Sequence, residues 1–518
     1  MNDTLEKTEK WGIPTLDNAL KHITKSGFFI FFGSAVGGVI GFLTRILVIK
    51  NISESEFGVL SIALVFLSLI VWLFAAGLVV GLSRLISYYK SRNNLVKVET
   101  IVRTAVWSSL CMGIGISVIL LFIGSKIFHL FYSANLFPVF AILVGGVPFL
   151  IFTALCIQIF LGFGVSAPKI YLDPASSSAI RLATVLIAIF FSNIFAKAIF
   201  LNIIWAYFFS FLITGLIALF YTAKNLPQFI KFKLIGNMDK EIILFSLPLL
   251  GAVIFSFTLG WTDTLFIGYF YSPTEVGIYN VAFTLANIIP FLLLVPIGYI
   301  YTPIATQYYA GNMLTKVKDL YSSLSRWIFV FTIIPTFVFL LFPKQVLILF
   351  FGERYINASF ALTLLTGGFL VQIIFGPIVA TLIALGKNKT ILSANFIGLA
   401  ANISLNFFLV PKLGIIGASY ACLFSIILVN VAYFLPLYYK DKISPFNKDY
   451  LKVILLGTIS ILLVYIPGKF LLNISTWMLP AVILIFLLIL GILFFLTDSI
   501  TENDKMLWEA IVQRFKGD

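Results

Sequence analysis

The chain has 518 residues, of which 60% are hydrophobic and only 11% charged, with a net charge of +14. Soluble domains carry about 25% charged residues, whereas the apolar residues here fall in blocks long enough to cross a hydrocarbon core, about 20 residues each. No soluble segment is long enough for a catalytic or ATPase domain, and unbroken apolar blocks are unlike the short alternating segments of a β-barrel. The composition therefore predicts an all-α polytopic membrane protein and not an enzyme.

In chain order, residues 1–26 are polar and read as a cytoplasmic interfacial segment. The first apolar block is full length, so no cleavable signal peptide is expected. Fourteen candidate spans follow, near 27–49, 57–82, 103–124, 137–161, 176–195, 198–222, 241–270, 276–302, 326–351, 359–385, 389–410, 415–438, 450–472 and 476–497. The first six form an N-lobe (27–222), residues 223–240 a basic cytoplasmic linker, and the next six a C-lobe (241–438). Spans 13 and 14 (450–497) lie outside both lobes. The tail, 498–518, places Leu507, Ile511 and Phe515 at helical spacing and reads as an amphipathic helix on the cytoplasmic leaflet.

The charge distribution sets the topology. With cytoplasmic termini, 27 of the 35 Lys and Arg fall in inner segments and seven in outer loops, leaving Arg45 inside a span. This asymmetry follows the positive-inside rule. It assigns the basic excess to orientation and anionic headgroups rather than to nucleic acid. Cys111, Cys156 and Cys422 fall in separate spans and read as small core residues. His22 and His129 form no metal-ligand cluster, and no G-x-x-x-x-G-K-[ST] phosphate loop is present. No metal or cofactor is expected, and coupling to H⁺ or Na⁺ stays open.

Two stretches repeat. "RILVIKNISESEFGVLSIALVF" begins at Arg45 and "DTLFIGYFYSPTEVGIYNVAFTL" at Asp263; Glu56 aligns with Glu275, Gly58 with Gly277, Ser61 with Asn280 and Ala63 with Ala282. Six spans separate the copies, so both point the same way through the membrane. The expected architecture is two parallel six-helix lobes around a central cavity, and internal-repeat transporters bind substrate at the repeat interface.

Further stretches carry a resemblance. "LGKNKTILSANFIGLAANISLNFFLVPKLGIIGASYA" (385–421) has an LG-K inner turn at Leu385, Gly386 and Lys387. An LN…P turn follows at Leu405, Asn406 and Pro411, then a G-x-x-GA string at Gly414, Gly417 and Ala418. "FGERYINASFALTLL" (351–365) supplies an FG-x-x-Y-x-x-A segment. Together with the "RILVIKNISESEFG" turn, these resemble the polysaccharide flippase branch of the multidrug/oligosaccharidyl-lipid/polysaccharide exporter superfamily over nearly the whole chain. The resemblance implies that spans 1, 2, 7 and 8 line a cavity. It also implies movement of a phosphate- or pyrophosphate-linked polyprenyl oligosaccharide to the outer leaflet of a bacterial or archaeal plasma membrane. A monomer is expected, working among membrane lipids and beside glycan-assembly or glycan-transfer enzymes. The rivals are a cation-coupled multidrug exporter and a lipid-II-type flippase of the same fold.

Arg45 lies about five residues, roughly 7 Å, inside the outer boundary. Its side chain could snorkel to the headgroups. Gly33, Gly37 and Gly41 share its stripe, so either a helix or a substrate could approach closely there. Asp263, about seven residues inside the boundary, is too short to snorkel and needs a partner or a wet cavity. Two roles follow: an Arg45–Asp263 pair closing an outer gate, or Arg45 receiving the substrate phosphate through its planar fork. Arg84 and Arg181 could capture the headgroup on entry or serve as positive-inside anchors. Gln158, Thr262, Asn280, Asn287, Gln372 and Asn402 could contact sugar hydroxyls or join helices. Pro248, Pro290 and Pro296 remove helix hydrogen bonds and read as hinges.

Overall fold

The computed structural model describes residues 16–128, 136–165, 168, 172, 174–195, 198–226, 255, 260–471 and 478–497. Among them there is helix and no strand, as expected for an all-α multi-pass membrane protein. Nine described helices are long and apolar enough to cross a membrane, or ten with one bent pair counted as a single span. The linker beyond Leu226, Pro248 and the C-terminal tail lie outside the described residues.

The chain divides into two units. Unit 1 comprises residues 1–261 and 291–307; unit 2 comprises 262–290 and 308–518. In unit 1, α1 runs over Leu16–Asn51, so residues 16–26 continue the first span as helix. Then come α2 (Glu54–Ser91), α3 (Leu95–Phe128), α4 (Leu136–Val144), α5 (Val147–Gly162), α6 (Pro174–Phe195) and α7 (Ile199–Asn225). α1 packs on α6, α6 on α7, and α5 on α2, α3 and α7. The acidic residue of the first repeat has a local cause. Ser53 caps α2 by accepting from the Glu56 backbone N–H (3.3 Å), while the Glu56 carboxylate accepts from the Ser53 N–H (2.8 Å). That capping box satisfies two otherwise orphaned donors. Glu275, its repeat counterpart, also lies in the first turn of its helix. The C-terminal end of α2 is tied to the end of α5: Ser87 Oγ donates to the Gly162 carbonyl (2.9 Å) and Lys90 Nζ to that of Phe163 (3.0 Å).

In unit 2 the elements are α8 (260–270, continuing from unit 1), α9 (Pro273–Ala310), α10 (Leu314–Leu341), α11 (Pro343–Phe351), a 3₁₀ turn (Glu353–Ala358), α12 (Ser359–Phe375), α13 (Ile378–Ala384), α14 (Asn388–Asp441), α15 (Lys448–Leu471) and α16 (Leu479–Leu496). The ninth expected span is divided at Phe342 because Pro343 cannot continue the preceding hydrogen-bond ladder. A nine-residue helix therefore follows a long one in each unit, α4 after α3 and α11 after α10. α12 breaks before Pro377, and two tyrosines cap the freed carbonyls. Tyr321 Oη donates to Phe375 O (2.7 Å) and Tyr450 Oη to Ile374 O (2.8 Å). Both rings are fully buried, so the break is held from α10 and α15.

α14 contains the G-x-x-GA string and joins two expected spans through a kink. Gly414 has φ +56° and ψ −132°, a conformation costly for any residue with a Cβ. The Tyr271 ring packs 3.5 Å from where that Cβ would stand. A Cβ at Gly417 would lie 2.4 Å from the Leu409 carbonyl oxygen, so only glycine lets the chain fold back this closely. Gly417→Ala is expected to cost about 1–3 kcal/mol, as overpacking does, read as a lower melting temperature in detergent. Loss of transport without loss of stability would assign Gly417 another role.

Cys156 and Cys422 are buried as expected, but Cys111 sits on an exposed face of α3. Cys111 is therefore not the core residue that its apolar span led us to expect.

Candidate functional site

Two groups of charged and polar side chains stand out, one in each unit: a half-buried pair of arginines in unit 1 and a buried carboxylate in unit 2. In unit 1, α1 delivers Arg45 and α6 delivers Arg181. Arg45 is half-buried, with its guanidinium carbon 5.7 Å from the centre of the Phe57 ring on α2. Arg181 lies over two rings of α7, 5.3 Å from Tyr207 and 5.5 Å from Phe211. Arg45 is within electrostatic reach of both Arg181 and Tyr207. The glycine stripe brings the helices together. A Cβ at Gly41 would stand 3.4 Å from Ser178 Oγ on α6, so at that position the stripe serves a helix contact.

Within unit 1 neither arginine has a carboxylate partner among the described residues. Arg181 Nε is buried without a hydrogen-bond partner. Two neighbouring guanidinium groups repel each other, and aromatic faces offset only part of that cost. The arrangement is suited to a multivalent anion, for which guanidinium provides planar, charge-assisted hydrogen bonds.

In unit 2, α8 delivers Asp263, 1% exposed. Tyr279 Oη of α9 donates to its Oδ2 (2.8 Å). Asn406 and Asn402 of α14 donate through Nδ2 to its Oδ1, at 2.7 and 3.1 Å. The two asparagines are four apart, one above the other on one helix face, and Asn406 Nδ2 also donates to Asn402 Oδ1 (3.0 Å). The buried Cys422 thiol of α14 neighbours the same carboxylate. Asn406 Oδ1 is buried and unpartnered. Three donors already hold this carboxylate, so it needs no arginine to be satisfied.

The other sequence candidates scatter. Asn280 is fully buried and receives a hydrogen bond from Thr264 Oγ1 (3.3 Å). It also donates to Val276 O (3.0 Å), one turn back in its own helix, so the Thr264 bond is the one that joins α8 to α9. Thr262 is buried beside Asp263 in sequence. Gln158, Asn287 and Gln372 are half-buried on α5, α9 and α12. The side chain of Arg84 lies outside the described residues. Pro290 and Pro296 both lie inside α9, and the division between the units falls between Pro290 and Phe291. Tyr279, Asn406 and Cys422 were not recognised from the sequence as site residues. The i, i+4 asparagine pair was the available signal for α14, and nothing marked the tyrosine or the thiol.

An all-helical membrane chain with a half-buried cationic pair in one unit and a buried carboxylate in the other has the character of a transporter. It belongs to the polysaccharide biosynthesis protein family, which matches residues 23–309, more than half its length. Residues 248–408 also match the MatE family, and both matches fall in the expected superfamily. A probable low-salt glycan biosynthesis flippase of Haloferax volcanii, Agl15, is 25% identical over 200 residues, covering 39% of this chain and 41% of that one. The chain thus matches less than half the length of that curated relative. Among solved structures, the lipid II flippase MurJ in an inward closed conformation superposes with a TM-score of 0.71 at 17% identity, over 92% of this chain and 100% of that one. An inward-facing multidrug resistance transporter of the MATE family gives 0.61 at 14% identity, over 83% and 96%. At these identities the likeness establishes the fold alone.

Proposed function

We propose that the protein is a flippase that carries a polyprenyl phosphate- or pyrophosphate-linked oligosaccharide from the inner to the outer leaflet by alternating access. The observation that carries this reading is the Arg45–Arg181 pair, two guanidinium groups within electrostatic reach of each other, each over aromatic rings and with no carboxylate partner in their unit among the described residues. A phosphate or pyrophosphate neutralises both. A cationic drug, the cargo of the rival exporter reading, would be repelled from the same place. The family match supports a saccharide carrier, as does the name of the Haloferax volcanii relative.

The rest of the reading follows the sequence. Fourteen spans form two parallel lobes with both termini cytoplasmic, in a bacterial or archaeal plasma membrane. The protein works as a monomer and catalyses no bond change. Asp263, with the side-chain oxygens of Asn402 and Asn406 beside it, is the place where a coupling H⁺ or Na⁺ would bind.

The test is reconstitution in proteoliposomes with a lipid-linked oligosaccharide, scoring outer-leaflet exposure with a glycan-cleaving enzyme that cannot cross the membrane. Protein-dependent exposure supports the reading. Cation-driven dye efflux without glycan movement would replace it with the drug exporter.

Alternating access needs a bend, and α9 is the helix that passes from one unit to the other at Pro290. Pro290→Leu restores a backbone donor and removes the ring's clash with the preceding turn. Translocation is expected to slow about tenfold, equivalent to about 1.4 kcal/mol on the barrier, while substrate binding is unchanged. An unaltered rate would remove Pro290 from the hinge.

A further inference from the structure

Building on the flippase reading, we infer that Phe211, seated on the glycine break of the fourth span, is a positioning residue for the Arg181 guanidinium and so for the substrate phosphate. The break lies between α4 and α5, which meet at 45°. Its cause is local. Pro148 has no N–H to offer the Val144 carbonyl four residues earlier, and its ring crowds that carbonyl, so the helix cannot continue. The Ser117 hydroxyl of α3 donates to Val144 O instead (3.0 Å), sharing its proton with Gly113 O of its own helix (2.9 Å).

Close approach fixes the break from both sides. A Cβ at Gly113 of α3 would stand 2.6 Å from Pro148 Cα. On the other side, α7 lays two rings on the two glycines of the break. A Cβ at Gly145 would stand 2.9 Å from the Phe208 ring, and one at Gly146 would stand 2.6 Å from the Phe211 ring. Real Cβ atoms do not come so near, so Phe211 occupies space that only glycine at position 146 leaves open.

Phe211 has a second contact that Phe208 does not share. Among the described residues, the Arg181 guanidinium lies over Phe211 and over Tyr207, one turn before it on the same face of α7. The two rings are buried and meet edge-on at 6.4 Å. Arg181 Nε is itself buried without a hydrogen-bond partner, so the rings, not a bond at that nitrogen, set its direction. An arginine aimed before the anion arrives loses less rotamer freedom on binding it. The fourth span thus sets the ring, and the ring sets the guanidinium.

The experiment measures translocation by the full chain in proteoliposomes over a range of lipid-linked oligosaccharide contents, together with melting temperature. Gly146→Ala pushes the Phe211 ring off its seat, and Phe211→Leu removes the ring. Each is expected to raise the half-saturating substrate content about tenfold, the consequence of ordering one long side chain on binding, with the maximal rate nearly unchanged. The double variant should be no worse than Phe211→Leu, because Gly146 acts only through the ring. Gly145→Ala is the control. It meets Phe208 nearly as closely and should lower the melting temperature as Gly146→Ala does, but leave half-saturation at the wild-type value. If Gly146→Ala does not fold, Phe211→Leu against Phe208→Leu makes the same comparison. Equal shifts from the two alanine variants, or from the two leucine variants, would reduce the effect to packing and overturn the positioning role while the flippase reading stands. Additive losses in the double variant would overturn it as well. No saturable translocation by the wild type would overturn the flippase reading itself, and the positioning of its phosphate with it.

Discussion

Arg45→Ala is expected to reduce translocation of a lipid-linked oligosaccharide in proteoliposomes by about 10- to 100-fold, with Arg45→Lys recovering little of it. The magnitude follows from the loss of one or two hydrogen bonds to a charged group, about 1.5–3 kcal/mol each. Lysine keeps the charge but not the planar fork, and it stacks less well on the Phe57 ring. Arg181→Ala should give a comparable loss. The double variant should be little worse than either single one, because groups that bind one anion as a unit are not additive. The same variants should retain the wild-type melting temperature or exceed it, since removing one of two neighbouring cations relieves repulsion. That combination separates a substrate site from a structural one. A full rate in Arg45→Ala would return Arg45 to a snorkelling anchor.

The sequence was most legible where one physical requirement acts alone. Span length, charge asymmetry and unbroken apolar blocks each follow from the bilayer, and they led directly to an all-helical multi-pass chain. The Gly414 and Gly417 string was recognisable as a pattern, although its reason, a reversed backbone dihedral and a 2.4 Å approach to Leu409 O, is a property of three dimensions. Arg45 and Asp263 stood out because charge inside an apolar run is costly wherever it lies. Their neighbours did not stand out. Tyr279 and Cys422 are ordinary residues in apolar helices, and only packing brings both to Asp263. Arg181 resembled an inner-end anchor, and nothing in its own stretch showed that Tyr207 and Phe211 lie beneath it. Helix ends were also poorly legible. Long helices run past the apolar blocks, as α1 does from Leu16 and α10 from Leu314, because polar sequence of good helical propensity continues a helix beyond the membrane.

Asp263→Ala is expected to destabilise the protein more than truncation of any other side chain in the two charged clusters, and Asp263→Asn to be milder. The alanine leaves three buried donors, Tyr279 Oη, Asn402 Nδ2 and Asn406 Nδ2, without their acceptor. Each unmet donor costs about 1–3 kcal/mol, and Asn406 and Asn402 can partly satisfy each other through the contact they already make. The net loss is several kcal/mol against a total stability of about 5–15 kcal/mol. It should appear as a marked fall in melting temperature and in the yield of monodisperse protein. Asparagine keeps one acceptor oxygen but turns an amide N–H₂ toward one of the donors, so about 1–3 kcal/mol is lost and the protein still folds. Asp263→Asn then becomes the informative variant for transport. If the carboxylate is the coupling site, the folded asparagine variant binds the lipid-linked oligosaccharide normally. It then flips substrate at a rate that no longer responds to a Na⁺ or H⁺ gradient. Tyr279→Phe, which removes one donor and leaves the charge, should preserve the gradient response. Gradient-dependent transport that survives in Asp263→Asn would confine Asp263 to holding α8, α9 and α14 together and place the coupling ion elsewhere.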